Sequence, residues 1–455
     1  LSTFPTLEVV RGNVIITAKL VTCLMLMDLL IRNGRIIDPA NSIDRHGDVS
    51  IVGGKIAEIG ESISVPDHNC ALFDASSMIV SPGFIDLHCH LRQPGFEEKE
   101  TIATGTMAAA KGGFTTICCM PNTEPPIATS DIIRQVCALA QNEGAVRVLP
   151  IATVTEGRAG KSLVHMTELK TAGAVAFSDD GSPIWNEEIM RQALEQSRAL
   201  NIPIINHCED LALSKNGVMN DGSVAGKLGY KGIPAAAEEN MVARDIELAR
   251  QTGGRFHIAH VSTAGSVDLI RKAKKQGINI TAEVTPHHLT LTEEEVLHSR
   301  TNAKVNPPLR TQYDIDALIE GLREGVIDAI ATDHAPHTEA DKAVIFEQAA
   351  FGISGFETAL GSLMTLVHQR KIDMPTLISK LTIEPARILE NREVAGNLGI
   401  GSTADITVFD PNTEWTVDPA KFVSKGKNTP LAGTTLKGRV TTTIVNGEIV
   451  YQADS

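Results

Sequence analysis

Eight short apolar runs recur along the middle of this chain, and each is followed by a longer stretch of helix formers. The runs are "MIVSPGFIDLHCH", "FTTICCM", "RVLPIATVT", "AVAFSDD", "IPIINHCED", "RFHIAHVS", "INITAEVTPHH" and "IDAIATDHAPH". A strand buried on both faces reads as a near-continuous apolar run. A repeated strand-then-helix order belongs to a parallel sheet. Eight such units predict a (β/α)8 TIM barrel, with helices in intervening segments such as 98–111 and 236–251.

The two ends have a different texture. From Met27, "MDLLIRNGRIIDPAN" and "GDVSIVGGKIAEIG" read as short alternating strands joined by Asn-Gly and Gly-Gly turns. "ADITVFDPN" and "GRVTTTIVNGEIVY" repeat that style near the other end. Together they predict a small β-sandwich side domain formed by both chain ends, 27–78 and 391–455, around a barrel over 79–390. Residues 1–26 read as an extension ahead of a natural start at Met27 or Met25. Their apolar stretch is interrupted by Lys19 and is shorter than the roughly 20 residues needed to cross a bilayer. No other stretch reads as membrane-spanning.

With 455 residues, 42% hydrophobic and 21% charged, the chain has the balance of an ordinary globular protein. Its formal net charge of −14 argues against a nucleic-acid binder, whose footprint is basic. Seven cysteines without framework spacing point to a reducing compartment, here the cytoplasm.

In a barrel, the C-terminal ends of the strands carry the active site. His88 and His90 end the first run, Asn122 follows the second, and Asp179 and Asp180 end the fourth. His207 ends the fifth, His260 the sixth, and Asp333 and His337 the eighth. Strand alternation would set Asp86, His88, His90 and Arg92 on one side and Cys89 on the other. Alternation likewise turns His334 away from Asp333. A lone His-x-His is weak evidence of a metal, but four histidines and two acidic positions at one rim are hard to explain as core filling. Nitrogen and oxygen donors suit Zn2+ first, with Mn2+, Fe2+ or Co2+ as alternatives. Two histidines on strand one, two on strands five and six, and a carboxylate between them predict two metals. Such a pair lowers the pKa of a bridging water to about 7 or below.

The set "DLHCHLRQPG", "MPNT", "FSDDG", "NHCED", "HIAHVS", "VNPPLR", "TDHAPH" and "AFGISGFET" resembles the metal-dependent amidohydrolase superfamily, and within it the class I bacterial dihydroorotases. The resemblance runs from about Met27 to the C-terminus. It implies a barrel with a side domain built from both termini. The implied activity is reversible hydrolysis of (S)-dihydroorotate to N-carbamoyl-L-aspartate in pyrimidine biosynthesis, by a metal-bridged hydroxide. It also implies His88 and His90 as ligands of one zinc, His207 and His260 as ligands of a second, and Asp333 as a metal ligand and general acid/base. Many relatives, hydantoinases and dihydropyrimidinases among them, use a carbamylated lysine near the end of strand four. "GAVAFSDDGS" holds no lysine, and alignment by motif favours Asp180 over Asp179 as the bridging carboxylate.

A ring carboxylate needs a cationic clamp, and Arg92 lies two residues beyond His90, where a guanidinium could grip it with two parallel bonds. The resemblance assigns that carboxylate to Arg92, Asn122 and His337, and contacts to the ring amides to Asn306 and the Phe351–Gly352 backbone; His90 also borders the substrate. Gln93 stands where the family often has an acid, and Ala350 where it often has proline. His287 and His288 read as supporting residues. The alternatives are an allantoinase or dihydropyrimidinase, or an inactive scaffold partner of aspartate carbamoyltransferase. An active enzyme could also assemble with that transferase, or with itself as a homo-oligomer.

Overall fold

The computed structural model describes residues 28–65, 70–391 and 393–454, so the expected extension over 1–26 lies outside the described residues. Eight parallel strands form one sheet in chain order: Phe84–Cys89, Phe114–Cys119, Arg147–Ala152, Ala176–Ser178, Ile204–Asn206, Phe256–Ile258, Ile280–Val284 and Ala329–Ile330. A parallel bridge between Cys89 and His334 brings the eighth strand's exit back to the first, with His90 N donating to His334 O at 2.9 Å. Each of the eight apolar runs supplies one barrel strand. Nearly every strand residue is buried, as expected where helices cover one face and the barrel interior the other.

The helices begin where side chains can cap them. Ile102–Lys111 starts after Thr101, whose hydroxyl accepts from Thr104 N in a capping box, so the expected start near Glu98 falls in the preceding turn. Ala235–Thr252 closes on Gly253 at φ +68°, a left-handed position that glycine adopts at little cost.

The first run divides in two. Ile79–Pro82 pairs antiparallel with the strand Ile406–Thr416, whereas Phe84–Cys89 enters the barrel. The break falls at Gly83, where a Cβ would lie 2.2 Å from Thr115 Oγ1. Strands from both chain ends meet through this pairing, in hydrogen-bonding terms as one continuous eight-stranded sheet. That sheet has its own core of Leu29, Ile31, Ile36, Val49, Ile51, Val80, Ile406, Val408 and Ile444. It is separate from the large cluster shared by the barrel strands and helices. Among the described residues, no helix is long and apolar enough to cross a membrane.

Candidate metal centre and substrate pocket

The strand ends of one rim converge. His88 Nε2 lies 3.4 Å and His90 Nε2 3.5 Å from Asp180 Oδ2. On the other side, His260 Nε2 lies 3.4 Å and His207 Nδ1 3.8 Å from Asp180 Oδ1. Each carboxylate oxygen of Asp180 thus faces a different histidine pair. Asp333 Oδ1 sits 3.1 Å from His90 Nε2 and 3.6 Å from His88 Nε2. Two donor triads emerge, His88–Asp180–His260 and His88–His90–Asp333.

Asp179 is spent elsewhere. Its Oδ1 accepts from Val154 N at 2.9 Å and Thr155 N at 3.1 Å, and its Oδ2 accepts from the Thr155 hydroxyl. Cys89 also stays out of the donor triads: its thiol donates to Cys118 O at 3.2 Å, and burial pushes its pKa well above the ordinary thiol value.

The residues behind the imidazoles set which nitrogen faces the centre. His88 Nδ1 donates to Glu283 Oε1 at 2.8 Å, His90 Nδ1 to Asn122 Oδ1 at 2.9 Å, and His207 Nε2 to Glu209 Oε2 at 2.9 Å. A ring nitrogen anchored on an oxygen in this way leaves its partner nitrogen free to bind a metal. The inward atoms His88 Nε2 and Asp180 Oδ1 are buried without a hydrogen-bond partner. Bare lone pairs and carboxylates held so close demand positive charge between them. The same demand shows in the ionisation of the groups: burial opposes charging of His88, yet Asp180, Glu283 and Asp333 drive its pKa well above the usual imidazole value. Burial alone would raise the Asp180 carboxyl, but His88, His260 and His90 hold it well below the carboxylate range. A divalent cation takes several such donors at once, and this nitrogen–oxygen set fits one.

Glu283 and Glu209 were not among the residues expected from sequence. Glu283 is fully buried between His88 and His257, and those histidines hold its pKa at about 2 against the push of burial. An acid inside the apolar run "ITAEV" was the available signal, because such residues are almost never buried unpaired.

Above the centre lies a cavity of about 180 Å3, lined by His90, Arg92, Asn122, Asp180, His207, His260, Asn306, Asp333, His337, Phe351 and Gly352 among others. All the expected site residues except His88 line it; His88 is fully buried. Arg92 arrives by a different route from the one alternation suggested. The strand ends at Cys89, and Arg92 takes φ +63° in the turn beyond. Its Nε donates to Pro336 O at 3.3 Å and its Nη2 lies 3.4 Å from His337 Nε2. His260 and Asp333 also have positive φ, +32° and +46°, so three site residues hold backbone conformations that cost about 1–3 kcal/mol each. His337 Nε2 donates to Phe351 O at 2.8 Å. Asn306 Nδ2 donates to Glu209 Oε2 at 3.0 Å.

Three further histidines of the same runs lie outside the donor triads. His288 bridges Thr285 Oγ1 and Pro307 O at 2.7 and 2.9 Å. His287 is buried outside both donor triads. His334 turns its ring from Asp333 to accept from Gly355 N at 3.1 Å.

A parallel barrel with a histidine–aspartate cluster able to hold a metal at its C-terminal rim is the architecture shared by the amidohydrolase type of protein. The "Dihydro-orotase-like" family description matches residues 77–266, and "Amidohydrolase family" matches 232–451. The chain is 52% identical to the dihydroorotase of Thermoanaerobacter sp. (strain X514), across 94% of this chain and 98% of that protein. It is 50% identical to that of Syntrophus aciditrophicus (strain SB), across 94% and 100%. The chain belongs to the dihydroorotase family. Among solved structures, L-hydantoinase (dihydropyrimidinase) from Arthrobacter aurescens superposes with a TM-score of 0.85 at 25% identity, covering 94% of this chain and 97% of that one. Dihydropyrimidinase from Brevibacillus agri NCHU1002 shares the fold, with a TM-score of 0.80 at 22% identity.

Proposed function

We propose that this protein is a dihydroorotase that opens (S)-dihydroorotate to N-carbamoyl-L-aspartate, reversibly, by hydrolysis of the cyclic amide. Relatives of that name at about half identity over nearly the whole chain support the activity. One observation carries the substrate: the half-buried Arg92 guanidinium lines the cavity with no carboxylate within ion-pair distance among the described residues. Burial pulls its pKa down to about 10, so it stays charged at neutral pH. A guanidinium facing a cavity with no carboxylate paired to it favours an anionic ligand, and dihydroorotate brings a ring carboxylate.

His88 and His90 would hold one divalent ion, His207 and His260 a second, with Asp180 between them and Asp333 on the first. The metal would be zinc, two ions per subunit, and the protein cytoplasmic. Assembly with itself or with aspartate carbamoyltransferase belongs to the same reading. When bound, the ions would polarise the ring amide carbonyl and make a nucleophilic oxygen available at neutral pH. Arg92, Asn122 and His337 grip the carboxylate, while Asn306 and the Phe351–Gly352 backbone orient the ring amides. Asp333, held ionised by His90 and His88 against the push of burial, takes the proton released as oxygen attacks the carbonyl carbon. It returns that proton to the departing ring nitrogen as the C–N bond breaks.

Arg92→Met tests the clamp. KM for dihydroorotate should rise on the order of a hundred-fold, the worth of two charge-assisted hydrogen bonds, with metal content unchanged. An unaltered KM in a folded, metal-loaded variant would remove Arg92 from the substrate site.

A further inference from the structure

The loop over 417–434 joins the strands Ile406–Thr416 and Thr435–Val445 of the sheet built from the chain ends, yet its middle reaches the mouth of the barrel. Ser424 Oγ donates to Glu100 Oε2 at 2.5 Å. At Gly426 the backbone lies so close to the strand-eight exit that a Cβ would stand 2.4 Å from Pro336 Cβ. Two residues on, the buried side chain of Asn428 makes four hydrogen bonds. Its Nδ2 donates to Ala335 O and to Gly352 O, each at 3.0 Å. Its Oδ1 accepts from His337 N at 2.9 Å and lies 2.9 Å from Ser354 Oγ.

Those four bonds use the amide's full capacity, two donated and two accepted. Every one goes to 335–337 or 352–354. These segments form two walls of the pocket, carrying His337 on one side and Phe351–Gly352 on the other. The backbone continues the join, with Ser354 N donating to Asn428 O at 2.8 Å. Asn428 is absent from the cavity lining, so it acts on the substrate only through the residues it holds.

We infer that Asn428 is a positioning residue: a strap from the end-built sheet uses its buried amide to fix the spacing between His337 and the Phe351–Gly352 backbone, and so the fit of a ring carboxylate and its amides. The inference rests on the substrate reading above. It assigns the end-built domain a part in substrate recognition as well as in folding.

Asn428→Ala removes all four side-chain bonds, and Gly426→Ala lifts the strap by contact with Pro336 while leaving Asn428 intact. Both are compared with the parent protein for KM and kcat on dihydroorotate, inhibition by orotate, metal content and thermal unfolding. KM and the orotate Ki should rise together by about ten-fold or more, the effect of leaving buried polar partners unmatched. The kcat at saturation and the metal content should stay near parental values. Unchanged KM and Ki in either folded variant would overturn the inference. So would a fall in kcat that tracks lost metal or lost folded protein while KM holds, since that marks a general structural role. Failure of the parent itself to open dihydroorotate is a distinct result, and it would sink the substrate reading and this inference with it.

Discussion

Asp333→Asn should reduce ring opening by about 10²- to 10⁴-fold in kcat, the range general acid–base groups contribute, while most bound metal is retained. The asparagine oxygen can still sit where Asp333 Oδ1 stands, 3.1 Å from His90 Nε2. What the amide cannot do is accept a proton during attack and give it back to the leaving nitrogen. The backbone at this position, with φ +46°, is one that asparagine tolerates about as well as aspartate, so the substitution isolates the chemistry from the fold. Steady-state rates in both directions, with metal content measured on the same samples, decide the matter. A variant within a few-fold of the parent in both directions would take the proton transfer away from Asp333.

Asp180→Ala should cost metal first and turnover as a consequence. Its two oxygens face different histidine pairs, and removing them leaves four imidazoles without the anion between them. Even residues that merely support a ligand cost 10–100-fold in affinity or activity, so a carboxylate shared by both halves should cost on the order of a hundred-fold or more. Asp179→Ala is the matched control. Its bonds go to Val154 and Thr155, and it should lose thermal stability while keeping its metal. An Asp180→Ala protein with parental metal content and full activity would defeat the bridging assignment.

Much of this was legible in the chain because parallel barrel strands announce themselves as apolar runs, and because a barrel gathers whatever lies at their ends. His88, His90, Asp180, His207, His260 and Asp333 could therefore be placed at one rim although His90 and Asp333 alone lie 243 positions apart. Other features depend on contacts that no local pattern carries. Strand alternation expected Arg92 on the side of His88 and His90, but the strand stops at Cys89 and a left-handed turn carries Arg92 to the cavity wall. The division of the first run at Gly83 follows from the nearness of Thr115. Glu283 and Asn428 work across 195 and 93 positions of separation, and only the closed fold brings them to the residues they orient.

The central claim is the substrate, and one assay addresses it most directly. Purified, metal-loaded protein is offered dihydroorotate, allantoin and dihydrouracil in parallel, with metal content determined on the same preparation. Dihydroorotate should turn over, with little or no turnover of the two rings that lack its carboxylate. Turnover of allantoin or dihydrouracil without turnover of dihydroorotate would contradict it.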